Sequence, residues 1–567
     1  MSAWINRLRI KTKGGYMKPI NKQRREQAWQ TLALLVLVGQ GGTALAAAIE
    51  LPNSDYRLRW DNTLRYALGM RMEDQDRRIM NNPSYDESDG KFDKGDIVTN
   101  RVDILSEIDF SYRKEWGARV SAAGWFDQAY HDDSVRSHIA GYQSSYDSDR
   151  YSGEVKRYAA GPSGEILDAF LWKNFRVGDT SINVKAGRHT NYWGEGLLFG
   201  AHAVSYSQAP LDGAKAVTSP GIETKEVFLP IGQISAKAQA TDNLTLAAQY
   251  FYEWDYTRLP YGGTYFGAAD PFFEGPDRLP VAPGFSLKRE NSKFGRDSAN
   301  WGVMAKYEIE AISSNVGLYY RQFDDYQPWL APEVSAATGS YRLVYPRNVK
   351  LVGLSFSRVF DTVSVGSEVS YRKGGALNAV GIDPTDNEGP RGDTLHFVAN
   401  AVYGVPRNFI ANNATLVAEF AYSHLRKVTD HEELYLGEHN NNCVDPRVGT
   451  PGSGDKRDGC STRNYAAMAV NYTPQYLSVF PSWDMTVPLT VNYGLSGNAA
   501  SAGGGNEGAL TWSAGVQLTY AQRYEFGLRY ADSDAQSKRI PGDTIGGNGA
   551  VGGTDRGWLA FTFKTSI

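Results

Sequence analysis

Apolar and polar residues alternate along residues 510–530, LTWSAGVQLTYAQRYEFGLRY. Apolar side chains take every second position from Leu510 to Tyr520, and again from Tyr524 to Tyr530 after a short turn. A period of two indicates extended strands whose successive side chains point to opposite faces. One face is apolar and ends in aromatic residues, whereas the other is small, polar or charged. This combination is typical of membrane-spanning β-barrel strands.

The same hairpin pattern recurs along the chain and predicts an all-β fold, a single transmembrane antiparallel β-barrel. Counting the hairpins gives about 18 strands, or about 16 if the less distinct strands near residues 395, 465 and 485 are left out. Short turns alternate with long polar loops, as in barrels with short periplasmic turns and long extracellular loops. The long segments are 73–97, 131–164, 191–227, 259–297, 326–340, 374–391, 428–461, 497–507 and 531–555.

Composition narrows the class of protein further. The mean hydropathy is −0.43, and the sequence has no apolar run of the length that a spanning helix needs. Charged residues make up 22% and aromatic residues 12% of the chain, which suits a polar lumen with aromatic residues at the membrane interfaces. A net charge of −4 gives no basic surface that would indicate nucleic-acid binding.

The N-terminus predicts export. A basic segment, the apolar run TLALLVLV and an A-x-A cleavage site predict a signal peptide over residues 1–46, which leaves residues 47–567 for the barrel. Because Met17 directly precedes this signal, we interpret residues 1–16 as an extension from an upstream start. Export combined with β-barrel patterning predicts the outer membrane of a Gram-negative bacterium.

Four sequence elements carry a resemblance to a known family. They are GRHTNYWGEGLLFG at 187–200, TSPGIETKEVFLP at 218–230, EWDY at 253–256 and DMTVPLTVNYGLSGN at 484–498. With them, essentially the whole mature chain resembles the uncharacterised proteobacterial outer-membrane barrels of domain of unknown function thirteen-oh-two. The resemblance implies an outer-membrane barrel. One departure is the last residue, Ile567, where barrels usually end on an aromatic assembly signal.

The resemblance also implies partners. Members of that family are encoded beside a periplasmic lipid-carrier-like protein and a large proton-driven inner-membrane permease. This context suggests the movement of hydrophobic or amphipathic molecules across the envelope. We therefore expect contact with outer-membrane lipid and lipopolysaccharide, a monomeric barrel, and no nucleic acid or cofactor.

Charged residues at inward positions of the strands are the first candidate site. Mixed charges of this kind either form a constriction that selects solutes or a structural network of ion pairs within a wide lumen. The candidates are Arg57, Arg65, Arg188, Lys306, Glu308, Glu368, Arg372, Arg523, Glu525 and Arg529.

The second candidate is the glycine-rich segment 191–227, which we expect to fold into the lumen. Its most specific element is Trp193-Gly194-Glu195. The Glu195 carboxylate would pair with Arg188 or another lumen arginine and narrow or gate the channel. The alternative is a hairpin cap with a purely structural role.

Two loop features complete the set of candidates. Cys443 and Cys460 lie in one predicted extracellular loop, and an even number of cysteines in an exported protein predicts a disulfide. A metal site is not predicted because no His–Cys spacing accompanies them. The aromatic-rich loop 259–288 predicts either an apolar docking place for a hydrophobic ligand or a loop packed over the barrel.

These observations favour an outer-membrane channel for hydrophobic or amphipathic molecules, working within a trans-envelope transport system. One alternative is a non-conducting barrel that anchors periplasmic partners. Another is an outer-membrane hydrolase, but none of the eight histidines has the His-x-Ser spacing of known barrel phospholipases. The sequence therefore does not predict an enzyme.

Overall fold

Eighteen antiparallel strands close into a barrel in the computed structural model, which describes residues 47–49 and 55–566. The predicted signal peptide lies outside the described residues. Closure is made by β1 and β18, since Thr63 to Arg71 pair with Ser566 to Trp558. The strands are β1 (Tyr56–Arg71), β2 (Ile97–Tyr112), β3 (Trp116–Asp127), β4 (Ser163–Val177), β5 (Thr180–His189), β6 (Ile231–Gln239), β7 (Leu244–Phe251), β8 (Trp301–Ile309), β9 (Ser314–Phe323), β10 (Val349–Phe360), β11 (Val363–Ala376), β12 (Arg391–Val405), β13 (Asn413–Asp430), β14 (Asn464–Phe480), β15 (Trp483–Thr486 and Leu489–Ser496), β16 (Leu510–Tyr520), β17 (Tyr524–Asp534) and β18 (Trp558–Ser566).

The barrel has 18 strands and not 16. The strand near residue 485 is indistinct in the sequence because it is not continuous. Strand β15 is interrupted at Val487-Pro488, because proline has no N–H to donate to the neighbouring strand. Both parts of the strand still pair with β14, Thr486 opposite Gln475 and Leu489 opposite Tyr472.

The α-helices of the described chain lie in the long loops, and small extra sheets lie beside them. The helices are α1 (Arg77–Met80), α2 (Asp86–Gly90), α3 (Gly153–Val155), α4 (Gly213–Thr218) and α5 (Thr224–Val227). A π-helical turn spans Lys156–Ala160, and 3₁₀ turns span Gln128–Tyr130, Asp147–Asp149, Gly200–His202, Glu310–Ile312, Glu432–Leu434, Lys456–Asp458 and Val551–Gly553. The short strands outside the barrel wall are Ala47–Ile49, which pairs with β1, and Arg278–Ala282, Phe285–Arg289, Glu333–Ser335, Ser340–Arg342, Ser537–Ile540 and Thr544–Gly547. None of the helices in the described part of the chain is long and apolar enough to cross a membrane.

The alternation in β16 and β17 becomes two faces of the barrel wall. Trp512, Val516 and Tyr520 are exposed on the outside, whereas Ser513 is buried inside. The register places Val516 opposite Leu528, so apolar residues of neighbouring strands continue the outer surface. Burial of the polar face and exposure of the apolar face reverse the arrangement of a soluble domain and suit a lipid environment.

Aromatic side chains lie at both ends of this outer surface. At the end with the short turns, Trp483 and Tyr520 have ring centroids 4.9 Å apart. At the end with the long loops, Trp512 and Tyr530 are 5.4 Å apart. Aromatic girdles of this kind mark the two interfaces of an outer-membrane barrel, in which the short turns face the periplasm. The protein is therefore an outer-membrane β-barrel of a Gram-negative bacterium.

The aromatic-rich loop 259–288 packs over the extracellular mouth. Tyr261 and Tyr265 are fully buried in a cluster with Tyr130, Tyr146 and Tyr151 from another long loop. Edge-to-face ring contacts, such as the 5.5 Å contact of Tyr146 with Tyr151, contribute to this cluster. Of the two interpretations of this loop, the structure favours the packed loop for these tyrosines.

Candidate functional site: a loop bound across the lumen

Residues 190–230 join β5 to β6 and lie inside the barrel, and we call them the lumen loop. Its first half, residues 190–209, contacts the wall formed by β6 to β14. Its second half, residues 210–230, carries α4 and α5 and contacts the wall formed by β18 and β1 to β4. In the order of strands, β1 and β11 are almost half a circumference apart. The loop therefore crosses the lumen from one wall to the other.

Glu368 on β11 holds the first half of the lumen loop through backbone amides. Its Oε2 accepts a hydrogen bond from the amide of Glu195 at 2.7 Å, and its Oε1 accepts one from the amide of Val204 at 2.6 Å. Gly194 makes this approach possible: a Cβ at that position would lie 2.5 Å from Oε2 of Glu368, and its φ is +98°. Positive φ is a conformation that glycine adopts without strain.

Glu419 on β13 is a second carboxylate with the same role. Its oxygens accept hydrogen bonds from the amides of Leu197, Leu198 and Phe199 at 2.6, 2.7 and 2.5 Å. Asn400 lies between the two carboxylates and donates from Nδ2 to Glu419. Amides bound to a carboxylate make stronger hydrogen bonds than neutral pairs do, so these two glutamates position the peptide chain of the loop.

Two buried arginines bind the carbonyl groups of the same half. Arg321 on β9 donates to the carbonyl oxygens of Val204 at 2.9 Å and Tyr206 at 2.6 Å. The guanidinium carbon of Arg372 lies 3.6 Å from the centre of the Tyr206 ring, a cation–π contact. The wall thus supplies acceptors for the loop amides and donors for the loop carbonyls, which together satisfy the buried backbone.

A pair of histidines forms a third kind of contact between the first half of the loop and the wall. Nδ1 of His202 lies 3.0 Å from Nδ1 of His396 on β12, and Nε2 of His202 lies 2.8 Å from the carbonyl oxygen of Gly504. The carbonyl requires a proton on Nε2 of His202, so Nδ1 of His202 accepts and Nδ1 of His396 donates. Thr394 then donates its hydroxyl proton to Nε2 of His396 at 2.8 Å. The chain of hydrogen bonds is complete with both rings neutral.

The second half of the lumen loop is bound by ion pairs. Glu226 is fully buried and pairs with Arg65 of β1, and Nζ of Lys215 lies 3.4 Å from its other oxygen. Asp103 of β2 accepts a hydrogen bond from the hydroxyl of Ser219 at 3.0 Å. These contacts join side chain to side chain, whereas Glu368, Glu419 and Arg321 bind the backbone of the first half.

Further ion pairs lie nearer the periplasm. Lys225 pairs with Glu107 of β2 at 2.5 Å and with Glu223 at 2.9 Å. Glu223 in turn pairs with Lys564 of β18 at 3.1 Å. Charges of the loop alternate in sign with charges of the wall, so each is compensated.

Glu195 pairs with a lysine, where an arginine was expected. Its Oε1 lies 2.9 Å from Nζ of Lys306 on β8. Lys306 and Met304 share the inner face of this strand with Lys237 and Ala247 of its neighbours. Beneath Trp193, between the loop and this part of the wall, lies a cavity of about 300 Å³.

Arg188 does not face the lumen, which corrects the prediction. It lies opposite Ala169, on the same face as Leu171, which is 63% exposed to the outside. Lys185 faces the lumen, and a residue three positions further along a strand must point the other way. Arg188 pairs instead with Glu253 at the extracellular rim.

The remaining candidates lie away from the lumen loop. Glu525 accepts a hydrogen bond from Gln517 at 2.8 Å, between two inner strand positions. Arg523 lies in the periplasmic turn, where its guanidinium carbon is 5.3 Å from the centre of the Tyr524 ring. The candidates outside the loop contacts are Arg57, Glu308, Arg523, Glu525 and Arg529.

The extracellular loop 431–463 contains a disulfide between Cys443 and Cys460, with a Cα–Cα distance of 5.7 Å. Across residues 55–566, no group of three or more His, Cys, Asp or Glu side chains is arranged to hold a metal ion.

Sequence reasoning did not single out Glu226 or His202. Both belong to the irregular lumen loop, where no strand period indicates which side chains are buried. His396 had a weak signal, since it is a titratable residue inside a strand pattern. Its partner His202 is 194 residues away and could not be assigned from that pattern.

A protein family described as "Protein of unknown function (DUF1302)" matches residues 29–567. No curated protein matches the chain significantly. Similar solved structures include OccAB4 of Acinetobacter baumannii, at 11% identity and a TM-score of 0.41, covering 91% of this chain and 100% of that one. Another is OpdK of Pseudomonas aeruginosa, crystallised with vanillate, at 10% identity and a TM-score of 0.38, covering 90% of this chain and 98% of that one.

Proposed function

The chain belongs to the DUF1302 family of proteins of unknown function, and from the geometry of its lumen we propose that it is an outer-membrane channel gated by the lumen loop. The observation that carries the proposal is the loop itself, bound to Glu368 on one wall and to Arg65 on the other. Barrels of 16–18 strands otherwise enclose a water-filled channel. A loop held across such a lumen by polar contacts controls what passes.

The contacts of the lumen loop suit a gate because each of them can be exchanged. Carboxylate–amide hydrogen bonds and ion pairs between side chains can be replaced by contacts with water or with a charged solute. The loop is covalently joined to the wall at β5 and β6, so release of its contacts would displace it without unfolding the barrel. Loops are the parts of a structure that open at low free-energy cost.

We further propose that the solutes are hydrophobic or amphipathic and that the channel works within a trans-envelope system. The support is the family resemblance, in which a periplasmic lipid-carrier-like protein and an inner-membrane permease are the expected partners. The lumen adds that apolar rings accompany the charges, as Trp193 and Tyr319 pack 6.4 Å apart beside Lys306. We propose transport rather than catalysis because the charged groups that meet the loop are engaged in binding it.

Conductance of the purified full chain in planar lipid bilayers tests the gate. We expect the wild type to show ohmic steps, and Glu195→Ala to show larger or more frequent openings, because the Lys306 contact is lost. Glu115→Ala, in an exposed periplasmic turn, is the matched control and should behave like the wild type. Folding of each variant is checked by heat-modifiable mobility on gels.

Silence of both the wild type and Glu195→Ala in folded form would overturn the channel and favour a docking barrel that anchors periplasmic partners. Conductance of Glu195→Ala identical to that of the wild type would remove Glu195 from the gate. An unfolded variant is excluded by the gel mobility before the recording.

A further inference from the structure

The cavity beneath the lumen loop has a distinct composition. It is about 300 Å³ in volume and lies between Trp193 of the loop and strands β5 to β9 of the wall. Three lysines line it from neighbouring strands, Lys185 on β5, Lys237 on β6 and Lys306 on β8. Its volume falls at the lower end of the range of small-molecule sites.

Two of these lysines carry charge that the protein does not neutralise by direct contact. Across residues 55–566 the structure shows no ion-pair partner for Lys185 or Lys237. The ammonium of Lys185 lies 5.3 Å from the centre of the Phe170 ring. The Asp168 carboxylate, which acts electrostatically on Lys185, forms its own ion pair with Arg119 at 3.1 Å. Other charged groups that meet the loop are bound directly, by an ion pair as in Arg65, by loop amides as in Glu368 and Glu419, or by loop carbonyl groups as in Arg321 and Arg372, so Lys185 and Lys237 are an exception.

Apolar surface lines another part of the cavity, beside the polar side chains of Asn183, Asn191 and Ser235. Trp193 is largely buried, and its ring lies 6.4 Å from that of Tyr319 on β9. Met304 and Tyr192 extend the same surface. Aromatic and thioether side chains bind flat or flexible apolar groups, while ammonium groups bind anions. A ligand that satisfies both would carry an anionic head on an apolar body.

We infer that this cavity binds an amphipathic organic anion, with its head on Lys185 and Lys237 and its apolar body against Trp193 and Tyr319. The inference deepens the proposed function and rests on it in one respect, that the bound anion is a solute of the channel. The ligands that fit this site share one chemistry, a carboxylate or phosphate head joined to an apolar group. Sites of this kind combine a largely apolar wall with a few convergent polar groups.

The position of Lys306 connects this site to the lumen loop. Its ammonium faces the cavity and also pairs with Glu195 at 2.9 Å. An anion that enters the cavity competes with Glu195 for Lys306. Because an anion beside Lys306 shares its ammonium and repels the Glu195 carboxylate, each weakens the binding of the other, and the ligand shifts the loop toward the state in which Glu195 is released.

Equilibrium dialysis of the full chain in lipid nanodiscs tests the site, with empty nanodiscs as the background. The probes are octanoate, octyl phosphate, octylammonium and octan-1-ol, which share one apolar chain. We expect saturable binding of one or both anions and none of octylammonium. The double variant K185M/K237M should bind the anions about tenfold more weakly or worse, because a charged hydrogen bond is lost, with octan-1-ol unchanged.

Two further variants separate binding from a structural role. K173M removes a lysine from the outer face of β4, the strand next to Lys185, and should bind the anions like the wild type. E195Q keeps the amide bond to Glu368 but removes the competing charge, so it should bind anions about threefold more tightly or better. Damage to the loop alone would weaken binding rather than strengthen it.

The inference is overturned if neither anion binds saturably, or if K185M/K237M binds them as the wild type does in folded form. Equal losses in K173M and K185M/K237M would also overturn it. Binding of only one of the two anions supports the site and identifies the head group. Since dialysis needs no ion flow, lysine-dependent binding by a silent barrel would support the site while the channel failed. Conductance without such binding would support the channel and overturn the site.

Discussion

The two halves of the lumen loop are bound to the barrel by different chemistry. The first half binds mainly through its backbone, from which Glu368 and Glu419 accept five amide hydrogen bonds. The second half presents side chains, of which buried Glu226 with Arg65 is the clearest pair. Backbone contacts tolerate most changes of loop side chain, whereas an ion pair fails when one charge is removed. The two halves should therefore respond to different mutations.

The largest effect is expected from Arg65→Met, which leaves the buried Glu226 carboxylate with Lys215 alone at 3.4 Å. Removing one partner of a buried ion pair costs about 3–5 kcal/mol. Hydrogen–deuterium exchange should accelerate in residues 213–227 and little in residues 190–209. The control is Arg59→Met on the same strand, whose exposed pair with Asp61 contributes at most about 1 kcal/mol. Equal acceleration in both halves would show that the loop detaches as one unit.

Glu419→Gln should release the first half and leave the second in place. The amide side chain accepts hydrogen bonds less strongly than a carboxylate, and its NH₂ group faces the amides of Leu197 to Phe199. Loss of charged hydrogen bonds costs about 2–3 kcal/mol, less than the buried ion pair because water can solvate free amides. Exchange at residues 197–199 and the frequency of channel opening should both rise. Glu310→Gln, in an exposed periplasmic turn, should change neither.

Gly194→Ala tests the same half from the side of the loop. The new Cβ would lie 2.5 Å from the Glu368 carboxylate, at a φ of +98°. We expect a loss of about 1–2 kcal/mol in loop attachment. Gly200→Ala is the matched control, since no atom lies within 4 Å of its Cβ position. If both variants open the channel equally, the close approach of Gly194 to Glu368 does not matter for the gate.

The smallest effect is a pH dependence of the first half. Burial, opposed by the hydrogen bond to Gly504 and reinforced by Arg372, lowers the pKa of His202 from 6.5 to about 4. A released loop takes up this proton below pH 6.5, whereas an attached loop does so only near pH 4. Attachment therefore weakens as pH falls through that window, by about 1 kcal/mol at pH 5.5. His202→Gln should abolish the change in hydrogen–deuterium exchange of residues 197–206 between pH 7 and 5.5, and its persistence would assign the effect to another group.

Much of the fold follows from the period of two. The spacing of Trp512, Val516 and Tyr520 is enough to predict that they lie on the outer face. The number of hairpins then predicts the number of strands. The same period also explains the error at Arg188. Its charge suggested the lumen, but parity with Lys185 places it outside, and at the rim a charge on the outer face is solvated rather than buried in lipid. The alternation of faces along the strand therefore predicts the orientation of Arg188 better than its charge does.

The sequence by itself determined the barrel and its sidedness, because lipid, water and short turns each select a local residue pattern, and it made the segment 191–227 a candidate for entry into the lumen. Only the tertiary structure decided how that segment is bound. Glu368 and Glu419 accept hydrogen bonds from backbone amides some 170 to 220 residues away. Because every residue except proline has such an amide, the sequence does not show which amide binds a given carboxylate. Lys306 likewise became a partner of Glu195 only through the packing of the loop. Local patterns specify the face on which a side chain lies, whereas its hydrogen-bond or ion-pair partner depends on how distant segments pack in the closed barrel.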